Sequence, residues 1–242
     1  MLTLFPRGFE EVELSGELEL AAYTDAAGEA RLREALGAVV SRPISEGWEE
    51  AWKQFHQPVW VGPLWVGPPW EEANAGDLAV VVDPGRAFGT GAHPTTRLCL
   101  ELLVEQERTS LVDLGCGSGI VGVAGAKLGF EPVIGLDADA EAVEVARANA
   151  AANGVEIEVR HENVMSAPLP EAGLAVANID FPIVEGLASR VRSPLMIASG
   201  YLQGVHPRFA GWRAVERRER GGWAADLLER LPPGGRPRRG VG

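Results

Sequence analysis

Three alternate glycines follow directly on an apolar run in Val112-Asp113-Leu114-Gly115-Cys116-Gly117-Ser118-Gly119, and a helical pattern begins immediately after them. Glycines in that place let the backbone pass close beneath a ligand, and the start of a helix offers N–H groups to a carboxylate or phosphate. Asp113 stands two residues ahead of the first glycine, where its carboxylate can meet a ligand's ammonium or cap the turn that follows. Asp137 closes the next apolar run, and a carboxylate there can accept bonds from both hydroxyls of a ribose. A second constellation, Asp83-Pro84-Gly85-Arg86-Ala87-Phe88-Gly89-Thr90-Gly91-Ala92-His93-Pro94-Thr95-Thr96, precedes the first of these runs; its glycines and hydroxyls suit a loop folded over a small polar ligand. Further on, Asn178 ends the run Leu174 to Asn178, and its side-chain carbonyl can accept an amine N–H.

Two nucleoside ligands compete for the glycine motif. Gly117-Ser118-Gly119-Ile120-Val121-Gly122 satisfies the dinucleotide pattern, with Asp137 at about the expected distance downstream. Three features favour S-adenosylmethionine instead: the position of Asp113, the onset of glycines directly off the strand at Gly115, and a chain that ends in a hairpin. Metal chemistry is not expected, because His93 lacks a partner at ligand spacing and the two cysteines, Cys99 and Cys116, cannot assemble a thiolate site. Cys116 has no histidine near it in sequence and reads as a small loop residue rather than a nucleophile.

The elements that must hold these residues alternate between strand and helix. Leu111 to Leu114, Val133 to Asp137, Ile157 to Arg160, Leu174 to Asn178 and Leu195 to Ser199 read as strands. Ile120 to Leu128, Ala140 to Ala152 and Ile183 to Arg190 read as the helices between them, the second closed by Asn153-Gly154, and Arg97 to Val104 as a helix leading in. Arg213 to Arg220 and Trp223 to Leu231 form a hairpin across Gly221-Gly222. Such alternation predicts a doubly wound, Rossmann-like α/β sheet of seven strands, parallel except for one strand of the terminal hairpin. Ahead of it lie an alternating stretch at Glu17 to Tyr23, a helix at Ala27 to Leu36, a second helix at Glu46 to Phe55, and extended segments between Trp48 and Trp70 broken by prolines. The organisation expected is a small N-terminal α/β module at 1–45, a linker helix with a Trp/Pro-rich segment at 46–75, the main domain at 76–231, and a disordered tail at 232–242.

With 46% hydrophobic and 23% charged residues the composition is globular. A net charge of -12 opposes tight binding to a phosphate backbone, so no direct nucleic-acid contact is expected; a basic protein or a small amine fits better. No apolar run is long enough to cross a bilayer, and the opening Met1 to Pro6 has no charged leader, which predicts a cytoplasmic protein.

The combination of loop and glycine motif resembles the PrmA family, methyltransferases that trimethylate amino groups of a ribosomal protein at the large-subunit stalk base. The likeness covers most of Trp48 to Leu231, with the family's F-G-T-G-x-H-x-T-T loop at Phe88 to Thr96, its glycine motif at Asp113 to Gly119 and its ribose acid at Asp137. It implies S-adenosylmethionine as cofactor, with Phe88, Thr90 and Gly91 at the methionine end, Thr95 and Thr96 positioning the loop, and Asn163 near the adenine. Asn178 looks like the catalytic Asn that follows the fourth strand in amino-methylating families. Two places depart from the family pattern. Asp180, in Ile179-Asp180-Phe181-Pro182, is an acid where none is usual, and can either attract a lysine ammonium or cap the next helix. Fewer than about fifty residues precede Trp48, where the family carries a separate substrate-recruiting domain. The function implied is N-methylation of a protein amino group; a small-molecule or RNA N-methyltransferase and a cofactor-binding regulatory protein without turnover stay open beside it.

Overall fold

The computed structural model describes residues 10–14, 17–21, 26–37, 39–41, 57–74, 76–82 and 93–232. The chain divides into two compact units, Met1–Ala51 and Trp52–Gly242. In the first, β1 (Glu10–Leu14) and β2 (Glu17–Ala21) pair antiparallel, and α1 (Ala26–Leu36) follows. On α1, Glu29 accepts from Arg33 one turn on and from Ser41 beyond the helix end. The expected helix at Glu46 to Phe55 and the tail from 233 onward lie outside the described residues.

The second unit opens with a three-stranded sheet of β3 (Val59–Val61), β4 (Leu64–Gly67) and β5 (Leu78–Val81), the first pair antiparallel and the second parallel. Next comes α2 (Pro94–Leu103), with Pro94 in its first turn, where a missing N–H costs no helix bond. The main run is then β6 (Leu111–Leu114), α3 (Ile120–Leu128), β7 (Val133–Asp137), α4 (Ala140–Ala152), β8 (Glu158–His161), β9 (Leu174–Asn178), α5 (Phe181–Ala188), β10 (Leu195–Leu202), β11 (Trp212–Arg220) and β12 (Trp223–Arg230). Asp139 caps α4 by accepting from the Glu141 N–H at 2.9 Å, an arrangement worth about 1 kcal/mol.

Seven strands form one sheet in the order β11-β12-β10-β9-β6-β7-β8. The β6, β7, β8, β9 and β10 contacts are parallel, whereas β12 runs antiparallel between β10 and β11. The terminal hairpin thus inserts its second strand inside the sheet and leaves its first on the edge. Side chains alternate across the sheet as the strand period demands. Leu111, Leu174, Val176 and Ile197 face a core shared with α2, α3 and the small sheet, while Val112, Leu114, Ala175, Ala177, Met196 and Ala198 face a core shared with α5. By the same parity Asp113 and Asn178 belong to the α2/α3 face, at the carboxyl ends of β6 and β9.

One buried polar cluster pins the hairpin: Asp226, on β12, accepts from the Tyr201 hydroxyl at 2.7 Å and from the Arg217 guanidinium at 2.8 Å. Outside it, Arg218 pairs with Glu105 and Arg220 with Glu101, tying β11 to the α2 segment. These part-exposed pairs contribute at most about 1 kcal/mol each.

Candidate functional site

Chain order reverses between β6 and β9: from β6 the succession runs outward through β7 and β8 on one side, and through β9 and β10 on the other. At such a switch point the loops leaving adjacent strands diverge and open a crevice at their carboxyl ends. Thr96, Asp113, Gly115, Cys116, Gly117, Ile120, Val121 and Asn178 line a cleft at that place. Five of them, Thr96, Asp113, Gly115, Gly117 and Asn178, are residues the sequence nominates for the site.

The glycine loop is folded by its own backbone. Gly115 and Cys116 donate to the Leu136 carbonyl at 2.8 and 3.0 Å, Gly119 to the Cys116 carbonyl at 2.8 Å, and Gly117 to Asp137 Oδ2 at 2.8 Å. The N–H groups of Gly115, Cys116, Gly117 and Gly119 are therefore spent inside the loop. The helix start that the sequence offers to an anion is the first turn of α3, whose N–H groups have no i−4 partner within the helix; Ile120 and Val121 reach the cleft, and the Gly122 N–H is taken by Asp113. Ser118 is held from outside: Asn149, on α4, donates to its carbonyl at 2.8 Å.

Asp113 is 2% exposed and lies under this loop. Burial, with a smaller contribution from the charge of Asp137, pushes its carboxyl up to about 7 against a backbone hydrogen bond from Gly122. That bond into α3 is the turn-capping role the sequence allows. The other oxygen, Oδ2, is buried with no hydrogen-bond partner among the described residues. Asp137, at the end of β7, uses Oδ2 for Gly117 and Oδ1 for the Asp139 N–H at 2.9 Å, so each oxygen is anchored and keeps a lone pair.

Asn178 lines the cleft, and its Nδ2 donates to the Thr96 hydroxyl at 3.4 Å. Thr96 is fully buried. The Thr95 hydroxyl lies 2.7 Å from His93 Nδ1, and its N–H reaches the same nitrogen at 3.4 Å, making His93 the cap of α2. The His93 ring stands edge-on to Trp223 at 5.1 Å, and burial lowers its pKa. Phe88, Thr90 and Gly91 lie outside the described residues. Gly119 heads α3 as its N-cap. Asn163 is exposed and outside the cleft lining; its Oδ1 accepts from the Met165 N–H at 2.8 Å and so shapes its own turn.

Asp180 occupies the N-cap position of α5 but makes no side-chain cap bond. The capping reading holds for its place and fails for its hydrogen bond. Both cysteines are buried and their thiols are pushed up by burial, which agrees with an inert Cys116. Among the described residues no cluster of three or more His, Cys, Asp or Glu could hold a metal ion, and no helix is long and apolar enough to cross a membrane.

The sequence marks Asn153 only as part of a helix stop, and its side chain does more. Its side chain donates to the Val81 carbonyl at 2.7 Å and accepts from the Val81 N–H at 2.8 Å, closing the open edge of β5 as a neighbouring strand would. Asn153 also donates to the Asn149 carbonyl at 2.8 Å, so one pair of side chains links β5 to the glycine loop. Two asparagines four apart in an Ala-rich helix were the available signal.

A doubly wound sheet with an antiparallel strand inserted next to its edge, and a glycine loop at its switch point, is the Rossmann-like fold of S-adenosylmethionine-dependent methyltransferases. Residues 16–225 match the family described as ribosomal protein L11 methyltransferase (PrmA), and the chain belongs to that family. A ribosomal protein L11 methyltransferase of Alkaliphilus oremlandii is 39% identical over 155 residues, 61% of this chain and 50% of that protein. One from Pelotomaculum thermopropionicum is 39% identical over 213 residues, 80% of this chain and 69% of that protein. The chain thus spans from half to about two thirds of the length of such relatives. Among solved structures, a ribosomal protein L11 methylase from Lactobacillus delbrueckii subsp. bulgaricus superposes with a TM-score of 0.66 at 26% identity, over 73% of this chain and 100% of that one.

Proposed function

We propose that this chain is an S-adenosylmethionine-dependent N-methyltransferase acting on amino groups of a cytoplasmic protein, with ribosomal protein L11, named for its relatives, as the first acceptor to try. The observation that carries the reading is Asp113, a cleft-lining residue whose Oδ2 is buried with no partner among the described residues: such a carboxylate oxygen fits the methionine ammonium, a cation, and has no use for a dinucleotide pyrophosphate. When bound, the cofactor supplies a methyl group on a sulfonium, an electrophile that needs only a neutral nucleophile in line.

The chain's residues then divide the work. Asp113 holds the ammonium, the loop from Gly115 through Gly117 to Gly119 forms the floor, and Asp137 accepts from the ribose hydroxyls. Phe88, Thr90 and Gly91 close over the methionine end, Thr95 fixes the base of that loop through His93, and Asn163 lies toward the adenine. Asn178 accepts an N–H from the acceptor amine and aims the nitrogen lone pair at the methyl, its amide turned by Thr96. Alignment of this kind can supply about 7–11 kcal/mol of barrier reduction. A lysine acceptor has a reference pKa of about 10.4 and must release its proton to solvent first; Asp180, uncapped at the head of α5, draws the ammonium in.

The test is transfer of tritium from labelled S-adenosylmethionine to purified ribosomal protein L11 by the wild-type chain and by Asn178→Ala. Wild type is expected to label the protein and Asn178→Ala to lose transfer while still binding cofactor. Equal labelling by both would remove Asn178 from the chemistry, and no labelling of L11 by wild type would remove that acceptor.

A further inference from the structure

Asn178 has to be held still, and Thr96 contacts only one end of its amide. The residue after it, Ile179, is half-buried and wedged between two glycines, one in the loop that follows β6 and one on β10. A Cβ on Gly115 would stand 2.4 Å from Ile179 Cγ2. A Cβ on Gly200 would stand 1.8 Å from the Ile179 carbonyl oxygen, 2.6 Å from its carbonyl carbon and 3.2 Å from its nitrogen. Both glycines have left-handed backbones, with φ of 77° and 99°, so any other residue there is strained as well as obstructed.

The place of Gly200 is set by the sheet. Ser199 lies beside Asn178 in the parallel β9–β10 ladder, and the β10–β12 register shifts between Ser199 and Tyr201. That irregularity lays Gly200 flat against the peptide of Ile179 as the chain leaves β9. Gly200 itself does not line the cleft. We infer that Gly200, through Ile179, is a positioning residue for the transfer step: it and Gly115 clamp the chain immediately beyond Asn178 and so fix the aim of its side chain. The inference rests on the reading of Asn178 given above. Its consequence is a separation of effects, because Gly200 lies outside the cleft lining and meets the peptide that follows Asn178, whereas Gly115 belongs to the cofactor floor.

Gly200→Ala is expected to lower kcat about tenfold or more, since small misplacements of a reacting pair are costly, while the cofactor Kd stays within about twofold. A wild-type kcat, or a Kd that rises in step with the loss of kcat, would overturn the inference. The Gly115 side of the same clamp is tested by the pair Ile179→Ala and Ile179→Val, which also stands if Gly200→Ala fails to fold. Valine keeps the Cγ2 methyl that meets Gly115, so Ile179→Val is expected to recover most of the kcat that Ile179→Ala loses; equal losses in the two would count against the clamp. A readout independent of any acceptor is the Asn178 side-chain amide resonance, which reports its bond to Thr96. It should move in Gly200→Ala and Ile179→Ala and stay near wild type in Ile179→Val. An unmoved resonance refutes the clamp even if the acceptor is something other than L11, whereas absent transfer by wild type refutes only the proposed function.

Discussion

Replacing Asp113 by Asn sets stability against binding in a way few substitutions do. The carboxyl is 2% exposed, and burial raises its pKa from 3.8 to about 7. That rise corresponds to about 4 kcal/mol in favour of the neutral acid. Because the folded value lies above the unfolded one, the folded chain holds a proton that the unfolded chain has already released between about pH 4 and pH 7. The stability so gained is complete below about pH 4 and is lost as the pH rises through about 7. Ligand-free wild type should therefore give up as much as about 4 kcal/mol across that window on account of this one residue, and Asp113→Asn, which never ionises, should not. At pH 8 the ligand-free variant is expected to be the more stable of the two. Its amide can still take the Gly122 N–H but cannot neutralise an ammonium, and a charge-assisted bond of about 1.5–3 kcal/mol is lost, a tenfold to hundredfold weaker Kd for S-adenosylmethionine. Urea denaturation of both proteins at several pH values between about 5 and 8, with calorimetry at pH 8, checks both arms. Parallel stability profiles, or an unchanged Kd, would refute the assignment of Asp113 as a buried acid waiting for a cation.

Two further substitutions separate cofactor binding from transfer. Asp137→Ala removes the ribose acceptor together with the anchors on Gly117 and Asp139, so calorimetry should show a Kd raised about tenfold or more and thermal melting a loss of about 1–3 kcal/mol; an unchanged Kd would contradict the ribose role. Thr96→Val keeps the buried volume but deletes the hydroxyl 3.4 Å from Asn178, and is expected to lower kcat about tenfold with cofactor affinity intact; steady-state kinetics showing the reverse would place Thr96 on the cofactor instead.

Much of the main sheet was legible because its signals are local. The bounds of β6, α3, β7, α4 and β9 fall where the apolar runs and the Asn153-Gly154 stop place them. β8 begins at Glu158 rather than Ile157, since Ile157 packs against the core while ladder pairing starts at Glu158 opposite Ile134. α2 starts at Pro94, three residues ahead of the pattern from Arg97, because His93 supplies an unusual cap. No sequence signal marks β5: four residues after a turn carry no usable period, and the strand completes itself through parallel pairing with β4 and the remote Asn153 side chain. The site divides the same way. Residues named by short motifs, Asp113, Gly115, Gly117 and Asp137, could be placed from the sequence, whereas the approach of Gly200 to Ile179 depends on a register shift between strands more than twenty residues apart in the chain. Asp113's unpartnered oxygen was equally out of reach, because burial under a loop is a property of the packed fold.

The central claim is that the cleft between β6 and β9 takes a sulfonium-bearing amino acid nucleoside. Titration calorimetry of the purified chain at pH 7, with S-adenosylmethionine and with NAD, in buffers of different ionisation enthalpy, tests it directly. The account predicts saturable binding of S-adenosylmethionine with release of a proton from Asp113, seen as buffer-dependent heat, and no binding of NAD. Saturable NAD binding with no response to S-adenosylmethionine would contradict it.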